Sequence, residues 1–435
     1  MQPRAGAAAI PRDREAAVIT LCALTSAAAL AWLYLILLHG RYWHTGHRLP
    51  PAPAAAGPLP AITAVIPARN EAGILPGCLP SLLSQDYPAA FAAVLVDDDS
   101  ADGTGMTAAA VGRAAGWQAS VTGARPQPAG GPAAAREGGH AAGADRELKV
   151  VTARPAPPGW AGKVWAMAEG VRALPAGTEY VLFTDADIAY RPGTLAALAA
   201  AAAGRYALFS QMALLRTANR WEKLLIPAFV YFFAQLYPFP RVSVPRSSTA
   251  AAAGGCMLVR ADALAAAGGL EQIRNARIDD VALGRLLKRA GGRCWLGLTA
   301  DVTSERPYDG LADIWDMVAR SAYTQLHYSL AATAGAVAGL AWLYLLPPAA
   351  AIASVALLAA GYPLTTGAWL AAAGLAGWLL MSVTYVPMLR LYRLSPLRAP
   401  ALPLIAALYA AMTADSARRH HRGRGGEWKG RVAAS

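Results

Sequence analysis

Several acidic clusters in this chain sit where a run of β-favouring residues ends or a helix-like run begins. The stretch VLFTDADIAYRP, residues 181–192, climbs through apolar residues and sets down Asp185 and Asp187 with one alanine between them. Two carboxylates a few ångström apart repel by about 4 kcal/mol at an effective dielectric of about 20. Such a pair is tolerable where a hard divalent cation, Mg or Mn, sits between it and a polyphosphate. A solvated turn is the plain alternative, and the pair alone does not decide between them.

Other polar groups fall at similar places. In VLVDDDSADGT, Asp97 and Asp98 close an apolar run, and Ser100, Asp102, Gly103 and Thr104 make a turn that opens a helix. Acids at a strand end can accept hydrogen bonds from a base or ribose, although capping a turn also uses Asp and Ser. AVIPARNEAG supplies Arg69, Asn70 and Glu71 after another apolar run, for ligand contact or for a plain strand-to-helix turn. In PPGWAGKVWAMAEG, Lys163 follows a Gly-containing turn and can offset phosphate charge, with Trp160 and Trp165 as stacking or packing surfaces. RIDDVALGRLLKRAGG places Asp279 and Asp280 in the first turn of a helix whose Val281, Leu283, Leu286 and Leu287 form one face. Capping accounts for one of the two; the other can serve as a general base within reach of an acceptor hydroxyl.

These residues need elements to carry them. From residue 61, short apolar runs (AITAVIPA, FAAVLVDDD, LKVVTA, YVLFTDAD) alternate with helix-like stretches, which predicts βαβ units and a mostly parallel α/β sheet. Ligands of such sheets sit beyond the carboxyl ends of the strands, where the acids fall. Residues 118–147, rich in Gly, Pro and Ala, read as a flexible insertion. The chain has 435 residues, 55% hydrophobic and 15% charged, a balance that points to membrane segments. Residues 16–38 carry no charge and are long enough to span a bilayer; a cleaved signal peptide is the competing reading. After an N-terminal segment 1–15 and that span come a linker over 39–60, the sheet domain over 61–325, three or four spans within 328–414 and a basic tail over 415–435. Pro347, Pro348 and Gly361 leave the span count open, since a kinked span and a hairpin look alike. WEKLLIPAFVYFFAQLYPFP, residues 221–240, fits a helix at the membrane interface or a buried core helix.

Net charge is +12, from 39 Lys and Arg against 27 Asp and Glu, and SARRHHRGRGGEWKGR holds six basic residues against one Glu. A basic tail after apolar segments suits an anionic cytoplasmic membrane surface; no nucleic-acid-binding motif accompanies it, and none is expected as a partner. Cys22, Cys78, Cys256 and Cys294 are scattered singly and read as reduced structural thiols.

Taken in order, VIPARNE, VDDDSADGT, GWAGKVWAM, TDAD, AAAGGCMLV and IDDVALG resemble the motifs of the inverting family 2 glycosyltransferases with a GT-A fold, over about residues 60–325. With an N-terminal anchor, several C-terminal spans, RSAYTQL and the closing EWKGR, the chain is most similar to the membrane-bound subgroup associated with hopanoid lipid synthesis. The resemblance implies a nucleotide-sugar donor contacted by Pro67, Arg69, Glu71, Asp97, Asp98, Lys163 and Asp185. It implies a divalent cation, Mg or Mn, on Asp185 and Asp187, and catalytic acids at Asp279 and Asp280, with Asp280 as the base. Gly254, Gly255, Arg320 and Gln325 fall on the acceptor side. Asp279 stands where the family often has Glu. A Gln-x-x-Arg-Trp motif, used by processive synthases to hold a growing chain, is absent; RSAYTQLHYS stands there, which favours a single transfer.

The expected activity is therefore transfer of one sugar to a membrane lipid, a hopanoid in the first instance, by a multi-pass protein of the inner (plasma) membrane whose catalytic domain faces the cytoplasm. Sphingoid, glycerolipid and polyprenyl-phosphate acceptors are alternatives within the same chemistry. A non-catalytic membrane scaffold or lipid-transport component is the alternative outside it.

Overall fold

The computed structural model describes residues 12–49, 58–122 and 146–423. Its contacts group the described residues into two compact units, one formed by 12–45, 217–238 and 308–423, the other by 46–49, 58–122, 146–216 and 239–307.

The second unit is built on nine strands: β1 (Ile62–Ala68), β2 (Phe91–Asp97), β3 (Gln118–Thr122), β4 (Glu147–Thr152), β5 (Tyr180–Phe183), β6 (Ile188–Tyr190), β7 (Leu208–Leu215), β8 (Met257–Arg260) and β9 (Cys294–Ser304). They lie in the order β3-β4-β2-β1-β5-β8-β7-β9-β6. Pairing is parallel from β3 through β5 and between β7 and β9, and antiparallel for β5–β8, β7–β8 and β6–β9. This is the mixed, mostly parallel sheet with flanking helices that the sequence implies. Every residue of β1 is buried, as a strand covered on both faces requires. One core layer gathers Leu75, Leu79, Leu82 and Phe91, the other Val164, Trp165, Met167 and Leu283. Pro67 sits in this central strand without disrupting it. Val65 O accepts from Thr184 N on the β5 side, and pairing with β5 ends at Val65. Two residues on, the missing N–H of Pro67 faces that same side, beyond the partner strand.

The insertion expected over 118–147 is narrower, because Gln118–Thr122 and Glu147–Thr152 pair in parallel; residues 123–145 lie outside the described residues. Strand β3 is an exposed edge of polar residues, which is why its signal is weak. The linker expected over 39–60 is also shorter. Tyr42 is buried, its hydroxyl 3.0 Å from that of Tyr231, and the His47 ring stacks 5.3 Å from Trp295. These aromatic residues pack whichever unit they fall in; residues 50–57 of the Pro/Ala stretch after them lie outside the described residues. All four cysteines are free.

In the other unit, four helices among the described residues are long and apolar enough to cross a membrane: Arg14–Leu37, Leu330–Ala359, Leu364–Leu391 and Pro396–His421. Three thus follow the sheet domain. Pro347 and Pro348 do not divide a helix. They sit at the start of Leu346–Ala359, just after a π segment at Ala341–Leu345. The N–H that Pro347 lacks would have bonded Leu343 O, and Trp32 Nε1 donates to that carbonyl instead, at 2.8 Å. Gly361 does end the helix, in the left-handed region at φ 82°. There Gly361 N and Tyr362 N bond back to Leu358 O and Leu357 O, satisfying carbonyls at the helix end. Helix Arg220–Leu236 is a buried core helix of this unit. Asn219 and Glu222 cap it reciprocally, and Tyr231 donates to or accepts from Thr384 at 2.7 Å. The tail expected from 415 begins as the end of helix Leu402–His421, where Asp415 accepts from Trp315 Nε1 at 2.8 Å; residues 424–435 lie outside the described residues.

Candidate active site

Adjacent parallel strands bring the sequence motifs to one edge of the sheet. Ala68 and Asp97, the last residues of β1 and β2, are partners in register, so Arg69–Glu71 and Asp98 emerge side by side. Thr184 and Asp185 follow β5 beside them. Because β8 runs antiparallel to β5, with Met257 opposite Phe183, the residues before β8, Gly254 and Gly255, arrive at the same edge. Glu305 N bonds Asp187 O at 2.9 Å, which ties the end of β9 to the Asp-Ala-Asp turn. Thr184 Oγ1 donates to Gly255 O at 2.9 Å and accepts from the Tyr190 hydroxyl at 2.8 Å, so the turn is held from below. A Cβ on Gly255 would stand 2.8 Å from Ile188 Cδ1, so a larger residue here would require that side chain of β6 to shift.

Lys163 lies at the centre of one charge cluster. Its Nζ is 2.8 Å from Asp185 Oδ1 and forms an ion pair, without hydrogen-bond geometry, 3.1 Å from Asp279 Oδ2. Burial works against the lysine's charge, yet Asp185 and Asp279 more than offset it and its pKa is raised. Burial also raises the pKa of Asp185, with Lys163 opposing and Asp187 and Asp279 adding to the shift. Asp280 accepts from Gly254 N at 3.1 Å and from its neighbour Val281 N at 2.7 Å. Desolvation and the Asp279 charge push its pKa up to about 7 against Lys163 and those two N–H groups. A Cβ on Gly254 would stand 3.2 Å from Lys163 Nζ, 3.6 Å from Asp185 Oδ2 and 3.7 Å from Asp280 Oδ2. The glycine therefore lets its backbone come close to the point on which all three groups converge.

A second cluster adjoins the first. Arg306 bridges Glu71 Oε1, 2.7 Å from Nη2, and Asp187 Oδ2, 3.2 Å from Nε; Ser304 Oγ donates to the same Asp187 oxygen at 2.7 Å. Glu71 is anchored through its own N–H to Thr104 Oγ1 at 2.8 Å. Asp97 turns its carboxylate to the start of helix Thr104–Ala114, accepting from Ser100 N at 3.0 Å and Gly105 N at 3.1 Å. Buried Asp98 forms an ion pair with Arg69. The cap-and-turn role weighed for Asp97 in the sequence is thus present in the structure.

Among the described residues, no three His, Cys, Asp or Glu side chains gather as a complete ligand set for a metal ion. Asp185 Oδ2 and Asp187 Oδ1 accept no hydrogen bond among the described residues. Two carboxylate oxygens so presented suit a cation that takes its remaining ligands from substrate phosphates and water.

Two sequence profiles of known families match end to end. Residues 63–138 match glycosyl transferase family 2, and residues 139–323 match glycosyltransferase like family 2, together more than half of the chain. Residues 63–323 are a family 2 glycosyltransferase domain. No curated protein sequence matches the chain. Among solved structures, the mannosyltransferase PcManGT from Pyrobaculum calidifontis, in complex with GDP-Man and Mn2+, is 20% identical over 92% of this chain and 99% of its own, with a TM-score of 0.53. S. aureus TarS in complex with UDP-GlcNAc is 15% identical over 84% and 92%, with a TM-score of 0.35. Glucosyl-3-phosphoglycerate synthase from Mycobacterium tuberculosis, with Mn2+, UDP-Glc and phosphoglyceric acid, is 16% identical over 62% and 79%, also at 0.35. The first of these shares the GT-A fold of the glycosyltransferase domain.

Within that domain the structure brings together Glu71, Lys163, Asp185, Asp187, Gly254, Gly255, Asp279 and Asp280, with Arg69, Asp97 and Asp98 at the same sheet edge and Pro67 buried in β1. Arg320 and Gln325 are not part of this cluster. They lie on helix Leu311–Gln325 of the helical unit, Arg320 exposed and Gln325 bonded to the Tyr237 hydroxyl. Trp160 and Trp165 are packing residues, 5.0 Å apart edge to face and nearly buried. Sequence reasoning missed Arg306. Its one signal is a lone arginine between an acid and Pro307, whose ring favours extended backbone before it and so carries the strand direction of β9 on toward Asp187.

Proposed function

We propose that the glycosyltransferase domain transfers one sugar, with inversion, from a nucleotide-sugar donor to a lipid at the cytoplasmic face of the plasma membrane, with a hopanoid as the first acceptor to test. The observation that carries this is the convergence of Asp280, Asp185 and Lys163 on the position beside Gly254 where any other residue would carry a Cβ. In an in-line displacement, the acceptor hydroxyl oxygen forms the new bond to the anomeric carbon as the bond to the diphosphate oxygen breaks. The hydroxyl proton passes to Asp280, whose raised pKa makes it a competent acceptor near neutrality. Asp279, held by Lys163 in the first turn of its helix, keeps Asp280 oriented and its pKa high. Lys163 stays charged and faces the departing diphosphate.

Asp185 and Asp187 would hold a divalent cation, Mg or Mn. Such an ion supplies positive charge for the leaving group. Glu71, Asp97, Asp98, Arg69 and Pro67 border the nucleotide, while Gly254 and Gly255 border the acceptor; Arg320 and Gln325 are proposed to meet the lipid. The nucleotide sugar and Mn2+ bound by PcManGT, which shares the fold, support the choice of donor class and cation. The four apolar helices support a membrane lipid as the acceptor. A scaffold would have no use for a carboxyl set at about neutral pKa beside a lysine and a second pair of acids.

Membranes holding the full chain, given GDP-mannose, UDP-glucose or UDP-N-acetylglucosamine and extracted host lipids, are expected to yield a lipid with one hexose-type mass increment by mass spectrometry. EDTA should abolish it. Asp280→Asn should lose about 10²–10⁴-fold in transfer while nucleotide binding persists. Full turnover in that variant ends the base assignment, and no mass increment with any donor ends the enzyme reading. The lipid class that shifts separates hopanoid from sphingoid, glycerolipid and polyprenyl-phosphate acceptors.

A further inference from the structure

Among the described residues, Arg306 is the cation that touches both a proposed nucleotide contact, Glu71, and a proposed cation ligand, Asp187. Both acids are nearly buried, 8% and 6% exposed, while the arginine side chain keeps 31% of its exposure. A buried carboxylate without a partner is costly by several kcal/mol, and Arg306 supplies the countercharge that these two acids share. The same contacts conflict with the work proposed for the acids. Arg306 Nη2, 2.7 Å away, occupies one acceptor site of Glu71 Oε1 that a base or ribose donor would use, and a cation on Asp187 Oδ1 would share its carboxylate with a guanidinium 3.2 Å from Oδ2.

Resting on the donor-site reading above, we propose that Arg306 is an exchangeable counter-ion. It pairs with Glu71 and Asp187 between donor encounters, and moves its guanidinium onto the diphosphate when a nucleoside diphosphate enters with its cation. The exchange conserves local charge: as the cation takes over Asp187, the arginine becomes surplus there and finds two phosphate oxygens whose spacing its planar fork matches. The backbone gives it a fixed pivot, since Glu305 N is bonded to Asp187 O and Pro307 restricts the residue before it. Cation and nucleotide are then coupled through one side chain: without the nucleotide Arg306 competes with the cation, and with it Arg306 helps retain the pair.

The test uses the full chain purified in detergent, Mn2+ binding read by loss of its free-ion electron paramagnetic resonance signal, and calorimetric binding of GDP and UDP with Mn2+, with GMP and UMP as controls. In Arg306→Gln, Mn2+ alone should bind about threefold or more tighter, the diphosphates about tenfold weaker, and the monophosphates as in wild type. Arg306→Lys, which keeps the charge and guards against misfolding in the neutral variant, should leave Mn2+ binding at the wild-type level and still weaken the diphosphates. A purely structural arginine would move both affinities in the same direction or neither, and either result overturns the exchange. Unchanged diphosphate affinity in Arg306→Lys overturns the fork-to-phosphate transfer. If wild type itself binds neither GDP nor UDP in the presence of Mn2+, the donor-site reading has failed, which the variants alone could not have shown.

Discussion

Burial and the Asp279 carboxylate raise the Asp280 pKa to about 7, against the pull of Lys163 and of the N–H groups of Val281 and Gly254. Only the ionised carboxylate accepts a proton, and a raised pKa means that form is scarce below neutrality and dominant above it. kcat/KM should therefore climb about tenfold per pH unit below about 7 and level off above it. A profile flat from about pH 5.5 to 8 would remove Asp280 as the titrating base. At this scale the sequence is generous with acids and sparing with cations, offering Lys163 and Arg69 through their motifs but not Arg306. Paired aspartates at strand ends carry a spacing that can be read, and their convergence comes into view once strand order is known. Arg306 carries no spacing at all. Its meaning comes from two residues more than a hundred positions away, a relation only the folded chain supplies. The same limit applies to Asp97, since residue types alone do not choose between a ligand contact and a cap for helix Thr104–Ala114.

Elements are legible in proportion to how far burial shows in their composition. Strands β1, β2 and β5, almost wholly apolar, stand out. Edge strand β3, with exposed Gln, Ser and Thr, is lost inside the insertion, and the packed turn around Tyr42 reads as linker because Pro and Ala dominate the neighbouring residues 50–60. The proline pair at 347–348 shows why a breaker residue need not break. The carbonyl it leaves without a partner is recovered by a tryptophan from another helix, 311 positions away. Trp32→Phe keeps the ring's bulk and deletes that one donor, leaving a buried acceptor unpaired in an apolar setting, at about 1–3 kcal/mol. The thermal midpoint of the detergent-solubilised chain should fall by several degrees. An unchanged midpoint would mean that the π segment accommodates the prolines unaided.

The two units are interleaved along the sequence. Helix Arg220–Leu236 belongs to the helical unit although sheet-unit segments flank it in sequence, and its Tyr231 is bonded to Tyr42 and Thr384 at opposite ends of the chain. A fragment limited to residues 46–307 would retain the motifs but strand that aromatic helix without either partner. It should aggregate, read as void-volume elution in size-exclusion chromatography, and a monodisperse fragment would show that the helix is dispensable to the sheet unit. Sequence texture suggests one continuous catalytic domain over 61–325, because composition along a chain cannot reveal a segment lent to a distant neighbour.

The interleaving has a consequence for birth as well as for trimming. A ribosome completes the strands and helix Arg220–Leu236 well before Thr384 leaves the exit tunnel, so Tyr231 must wait for its hydroxyl partner while most of the sheet has already been made. For that interval the nascent chain carries an aromatic helix whose distal hydroxyl partner has not yet been made. Its safe passage then depends on being shielded by something else rather than on its own finished architecture.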